Sequence, residues 1–319
     1  MRLILRLLVV LAVLGGIAWV ALPRAQMGPM PGYDSVALGD DLDAWLAARE
    51  ARFDDIVPGT EARIRWAGTP GAQTDWALVY LHGFSASAQE IRPVPEDVAR
   101  ALGANLYYAR FAGHGRDGAA MAEASADDWA RDTAQAVAVA RRLGKRVAVI
   151  STSTGGTLAA IAAAEIGGVD AMVMISPNFG PRNPAAPLLN LPGARWWIPL
   201  IAGETRSFEP VNDAQARYWT ERYPTVAVLP MQAAVDRARA ADLGGTDIPA
   251  LVIYSEADEV VRPDATRTAM ADWGGTVSWV RLAPGPGVDP SAHVLAGDIL
   301  SPALTARVTD RILAFLQDL

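Results

Sequence analysis

The chain has 319 residues, 51% of them hydrophobic, enough for one large α/β domain with an inserted subdomain or for two domains. A net charge of −7 leaves no basic stripe to neutralise phosphates, which argues against a nucleic-acid partner. The lack of cysteine excludes disulfides, a thiol nucleophile and zinc–thiolate sites.

At the N-terminus, Arg2 and Arg6 precede an uncharged apolar run from Leu7 to Leu22, closed by Pro23 and Arg24. As a helix the run spans about 24 Å, and counting from Leu3 with Arg6 snorkelling it approaches the roughly 30 Å of a bilayer core. Trp19, Val20, Leu22 and Pro23 spoil most signal-peptidase sites, so residues 1–22 read as a membrane anchor, with a cleaved signal as the alternative. The two leading arginines predict a bacterial inner-membrane protein facing the periplasm, or a periplasmic one if the segment is cleaved. Residues 23–39, rich in Pro, Gly and Met, read as a linker, and residues 40–319 as the main domain.

Asp40 and Asp41 cap a predicted helix over Leu42–Phe53, and Glu61–Trp66 alternates like an edge strand. Trp76–Leu81 is a continuous apolar strand running into His82-Gly83-Phe84. A helix over Pro95–Leu102 and a strand over Leu106–Ala109 lead to Gly113-His114-Gly115. Asp127 and Asp128 then open a long helix ending at Gly144. Val147–Ile150 reads as a buried strand, Leu158–Ile166 as an Ala-rich helix and Ala171–Ser176 as a further strand. From about 177 to 247 no strand pattern is convincing, and Pro, Trp and Tyr dominate; this reads as a cap lying over the sheet. The α/β rhythm resumes with strand Ala250–Ser255, helix Asp264–Trp273, strand Val277–Leu282 and closing helix Pro302–Leu316. Such alternation predicts a mostly parallel sheet covered on both faces.

Between the Val147–Ile150 strand and the helix after it lies Ser151-Thr152-Ser153-Thr154-Gly155-Gly156. Ser153, with small residues two before and two after, fits a nucleophile elbow, a strained turn that lifts one hydroxyl above the sheet. Ser151 has bulky Val149 two residues before it, and Thr152 and Thr154 are β-branched, which disfavours the left-handed backbone the elbow needs. Parallel sheets place ligands at the carboxyl ends of their strands. Asp258 falls just past one strand end and His293 in the loop past the last strand. The order Ser, acid, His is that of the α/β-hydrolases. Only His82, His114 and His293 are available, and the first two adjoin glycines early in the chain. Among other acids, Asp247 lies at the wrong end of its strand, Glu256 and Glu259 read as solvent-facing, and Asp289 and Asp298 are too close in sequence to His293. The backbone N–H groups of Phe84 and Thr154 are the candidate oxyanion donors.

From about Trp76 onward the chain resembles the serine α/β-hydrolases, and more narrowly the bacterial carboxylesterase and monoacylglycerol-lipase group. The resemblance rests on Leu81-His82-Gly83-Phe84, Gly113-His114-Gly115, Asp127-Asp128-Trp129, the elbow, Asp258-Glu259 with Pro263-Asp264 after them, and Ser291-Ala292-His293-Val294. It departs from the group in Ser151, which stands where the elbow's first Gly is usual, and in a long cap rich in Trp and Pro. By resemblance Ser153 is the nucleophile, His293 the base, Asp258 its orienting acid, and Phe84 and Thr154 the oxyanion donors, with no metal or cofactor implied. The expected activity is hydrolysis of small-molecule esters with an apolar acyl group, lipid-derived esters among them, for which Trp196 and Trp197 of the cap are candidate contacts. Amide, thioester or carbon–carbon hydrolysis on the same triad, or a non-catalytic membrane-tethered binding module, are the alternatives.

Overall fold

The computed structural model describes residues 2–319; within the first helix the described side chains are those at 4, 6, 9, 10, 13, 19, 20 and 21. In chain order the elements are α1 (Arg2–Ala21), α2 (Leu42–Glu50), β1 (Arg63–Arg65), β2 (Thr74–Leu81), α3 (Val94–Leu102), β3 (Asn105–Tyr108) and α4 (Ala126–Leu143). They continue with β4 (Gly144–Thr152), α5 (Thr154–Glu165), β5 (Ala171–Ile175), α6 (Ala194–Ala202), β6 (Thr205–Ser207), α7 (Asp213–Tyr218) and β7 (Arg222–Pro224). The last are α8 (Val228–Ala240), β8 (Ala250–Tyr254), α9 (Pro263–Ala271), β9 (Val277–Arg281) and α10 (Pro302–Gln317).

Seven strands form one sheet in the order β1-β3-β2-β4-β5-β8-β9, parallel throughout except that β1 runs antiparallel to β3 at the edge. Side chains alternate across a strand, and β2 shows the consequence. Ala77, Val79 and Leu81 face the core shared with α4 and α5, whereas Trp76, Leu78 and Tyr80 face the core shared with α3 and α10. Both faces are therefore dry along the central strands, as a parallel sheet requires, while the edge strand β9 stays half-buried to exposed. At about 1.5–3 kcal/mol for each large side chain buried, these two layers hold the strand ends in fixed register. Helix α4 starts one residue before the acidic pair, where Ser125 and Asp128 form a reciprocal capping box.

Between β5 and β8 the chain leaves the sheet and forms α6, α7, α8 and a two-stranded antiparallel ribbon, β6–β7. The ribbon escapes sequence reading because its strands are three residues long and exposed or half-buried, too short for an alternating pattern.

Two N-terminal expectations fare differently from the sheet. Among the described residues no helix is long and apolar enough to cross a membrane, so the structure does not support the transmembrane segment read over 1–22. Part of that run lies outside the described side chains, and its end is engaged with protein: the Pro23 carbonyl accepts the Gly193 N–H at 2.9 Å at the start of α6. The stretch read as a linker packs along the core instead of hanging free. Met27 and Met30 are buried, and the N–H groups of Gly28 and Met30 donate to Asp127 and Glu165, each at 2.8 Å. Proline and glycine signal irregular backbone, not mobility, and the two thioethers fill gaps between helices.

Candidate active site

β4 ends at Thr152 and α5 begins at Thr154, so the whole change from strand to helix falls on Ser153. Its backbone sits at φ 53°, ψ −116°, a conformation costing about 1–3 kcal/mol for a residue with a side chain. The Ser153 N–H donates to Ile175 C=O, and the Ser153 C=O accepts from Asn178, both at 3.0 Å. A Cβ on Gly155 would collide with the Leu81 and His82 carbonyls, and one on Gly156 would lie 2.8 Å from Pro177 Cβ. The small residues after Ser153 are thus a packing requirement. Ser151 stands where Gly is usual, and its hydroxyl is fully buried and donates to Val173 C=O at 3.0 Å. That bond to β5 is how a Ser is accommodated there.

Among the described residues, four other than glycine have positive φ: Ser85, Ser153, Ser176 and Ala292. The first three lie in the loops leaving β2, β4 and β5, and the fourth directly precedes His293. Backbone strain therefore collects at the carboxyl edge of the sheet, where catalytic groups are expected.

Asp258, in the turn after β8, is buried with both oxygens engaged. One accepts the N–H groups of Val260 (2.8 Å) and Val261 (2.9 Å), and the other receives His293 Nδ1 at 2.8 Å. Burial works against the imidazolium of His293, but the charge and hydrogen bond of Asp258, helped by Glu90 and Asp289, leave its pKa above the ordinary value. Asp289 does not touch the ring. It accepts from Ser291 and from the N–H groups of His293 (3.2 Å) and Val294 (2.8 Å), so it folds the loop that carries the histidine. Its nearness in sequence suits it to the backbone and keeps it from the imidazole. Among the described residues Ser153 Oγ makes no hydrogen bond, to His293 or to any other group. The link between their two loops runs through Gly83 and Glu90: a Cβ on Gly83 would lie 3.3 Å from Ser153 Cβ and 2.7 Å from Glu90 Oε1.

The two other histidines are structural. His82 is buried, its pKa pushed down to about 4 by desolvation, with Nδ1 on Gly83 C=O (2.8 Å) and Nε2 accepting from Phe111 N–H (3.3 Å). Burial also drives the pKa of His114 well below the ordinary value. Both are neutral at pH 7. The Phe84 N–H donates to no acceptor among the described residues, and Thr154, first in α5, has no intrahelical partner for its N–H. The cap braces this loop. Thr220 N–H donates to Ser85 C=O at 2.7 Å, and the Tyr223 ring meets the Phe84 ring edge-on at 5.3 Å.

Trp196 and Trp197 lie on α6, and no hydrogen bond among the described residues joins either to Ser153, Phe84 or His293. Trp196 is 56% exposed, and the Trp197 indole N–H donates to Pro192 C=O within a small cluster with Ala194, Ile198 and Leu229. The cap aromatic against the Phe84 ring is Tyr223. Glu90, buried beside Gly83, is the other site residue that sequence reasoning misses; its only sequence signal is an acid seven residues after Gly83 in an otherwise neutral stretch.

The comparisons with known proteins agree with this architecture. The family model Hydrolase_4, described as serine aminopeptidase S33, matches residues 72–285, about two thirds of the chain. The chain belongs to this family. It is a serine hydrolase of the α/β-hydrolase fold. No curated protein matches it by sequence. Among solved structures, one described with the metagenome-derived lipolytic enzymes LipS and LipT aligns with this hydrolase at TM-score 0.66 and 22% identity, covering 83% of this chain and 100% of that one. A monoacylglycerol lipase from Paleococcus ferrophilus gives 0.55 and 16%, covering 80% and 99%. A soluble variant of the monoglyceride lipase from Saccharomyces cerevisiae gives 0.55 and 10%, covering 81% and 90%. At these identities the likeness is one of fold.

Proposed function

We propose that the chain hydrolyses carboxylic esters in two steps, with Ser153 as nucleophile, His293 as general base and Asp258 as the group that orients the imidazole. The observation that carries this reading is the 2.8 Å Asp258–His293 bond, at the same sheet edge as a strained serine and two N–H groups free to receive an oxyanion. Ser153 Oγ attacks the acyl carbonyl while His293 Nε2 takes its proton. The negative oxygen sits on the Phe84 and Thr154 N–H groups, each donor worth about 3 kcal/mol in the transition state. The alcohol departs with the proton from His293. Water, activated by the same nitrogen, then releases the acid.

The Tyr223 ring against Phe84 and the lipases among the structural neighbours support an apolar acyl group. Amide hydrolysis is the second reading, favoured by the description of the family as aminopeptidases. An aminopeptidase needs a carboxylate for the substrate ammonium. Here Glu90, Asp258 and Asp289 each accept internal donors, so none of these three is offered to an ammonium, and the ester remains the first reading. A panel of p-nitrophenyl esters, glycerol monoesters and aminoacyl p-nitroanilides tests the choice. The ester reading expects medium-chain esters to exceed the anilides in kcat/KM by at least about 100-fold, a gap of roughly 2.7 kcal/mol; faster anilides would replace it.

Since only neutral His293 can accept the serine proton, kcat/KM is expected to fall on acidification through a pKa above about 6.5. The same shift acts oppositely on stability. A base with a raised folded-state pKa contributes fully below its unfolded value, and the contribution is lost as pH rises through the folded one. A pH–rate profile with parallel thermal melts checks both; an acid limb below about pH 6 would count against His293 as the base.

We propose a cell-envelope location on the strength of Arg2 and Arg6 before the N-terminal apolar run. Fractionation with an intact tag at the C-terminus tests it, and recovery wholly in the cytoplasm would reject it.

A further inference from the structure

Glu90 belongs to neither the triad nor the oxyanion donors, yet it is buried beside both. Its Oε2 accepts the Gly83 N–H at 2.8 Å and the Tyr80 O–H at 2.7 Å. With the Tyr80 proton committed to Glu90, the 3.0 Å contact between Tyr80 and Thr152 has the Thr152 hydroxyl as donor. One carboxylate oxygen is thus bound to the residue before Phe84 and, through Tyr80, to the residue before Ser153. The same segment meets the histidine loop. Gly297, at φ 98°, leaves no room for a Cβ against Ile91 Cα (2.8 Å) and Glu90 C=O (2.9 Å), and Asp298 N–H donates to Arg92 C=O at 2.8 Å.

We propose that Glu90 is the positioning residue of the oxyanion hole, fixing the Phe84 N–H and the Ser153 elbow relative to one another through Gly83 and through Tyr80–Thr152. The inference rests on the esterase reading and deepens it. Three features argue that the arrangement serves chemistry as well as packing. The position is costly, since burial disfavours the charged carboxylate and raises its pKa. Satisfying Gly83 N–H alone would need only a neutral acceptor, whereas two donors converge on one oxygen, as they do on an anion. The Glu90 charge also faces His293, where it supports the imidazolium that forms when the serine proton is taken. Asp289 of the same loop is the other charge facing it. Mechanically, the N–H of residue 84 belongs to the peptide following residue 83. Holding Gly83 on one side and Thr152 on the other therefore sets the separation of the two donors. A misplacement of about 1 Å in such a site costs about 100-fold in rate.

The test is Glu90→Gln, with Tyr80→Phe as a second variant that keeps the Gly83 bond and cuts only the tether to Thr152. Activity on a p-nitrophenyl ester is expressed per active site titrated with a fluorophosphonate, so that a loss of folded protein drops out. Glu90→Gln is expected to lower kcat about 100-fold with KM changed less than about threefold, the signature of an interaction realised in the transition state. Tyr80→Phe is expected to lower kcat about tenfold in the same way. Unchanged kcat per titrated site in Glu90→Gln overturns the proposal, as does a rise in KM alone. If Glu90→Gln yields no folded protein, Tyr80→Phe decides: unchanged kcat per site rejects the proposal. Failure of the esterase reading looks different, because neither the wild-type protein nor any variant would then turn over esters or take up the fluorophosphonate.

Discussion

Ser153→Ala is expected to reduce ester turnover by roughly 10⁴–10⁶-fold and to abolish labelling by a fluorophosphonate, while the thermal midpoint stays within a few degrees of wild type. The size follows from the chemistry. On the proposed mechanism alanine removes the atom that forms the acyl-enzyme, and the Phe84 and Thr154 N–H groups can then assist only direct attack by water. Stability is expected to hold because Ser153 Oγ makes no hydrogen bond among the described residues and the buried Cβ is kept. The strained backbone is held by the Ile175 and Asn178 bonds, which the substitution leaves alone. Steady-state kinetics with a p-nitrophenyl ester and labelling of folded protein read both effects. If Ser153→Ala retained more than about a hundredth of wild-type kcat, another nucleophile would have to be sought.

Asp258→Asn carries the second-largest expected effect, a fall in kcat of about 10⁴-fold with little change in KM. The carbonyl oxygen of the introduced amide could still accept the Val260 and Val261 N–H groups, so the turn after β8 should survive. Its NH₂ would then face His293 Nδ1, where a carboxylate now accepts. The imidazole would be driven to the tautomer with its proton on Nε2, the nitrogen that must take the serine proton. The charge that raises the His293 pKa would also be lost, so the acid limb of the pH profile should move down as the rate falls. Measuring kcat and kcat/KM across pH for the two proteins checks this. A variant with full kcat and an unmoved limb would mean that Asp258 only shapes the turn.

Both experiments bear on a site whose members come from three regions of the chain, and only part of it was legible in the sequence. His293 could be singled out because histidine is scarce and the other two adjoin glycines; their burial and low pKa values give the physical reason they stay neutral. Trp196 and Trp197 show the opposite case. Aromatic content marked the cap as apolar, but composition has no direction. The fold turns one tryptophan to solvent and the other into a small cluster, and brings Tyr223 against Phe84.

The sequence by itself determined what depends on neighbours along the chain: the alternation of buried strands and helices, the elbow with its small residues, and the positions of Asp258 and His293 just past strand ends. These are local because strand periodicity, helix capping and the room needed at a tight turn are set within a few residues. Only the tertiary structure decided what depends on meeting across the sheet. It joins His293 to Asp258 over 35 residues, turns Asp289 toward the backbone, lays residues 23–39 on α4 and α5, and buries Glu90 between two loops. A carboxylate in a polar loop carries no mark of whether it will face water or a ring of donors. That choice is made when packed layers bring those donors to one point and exclude the solvent.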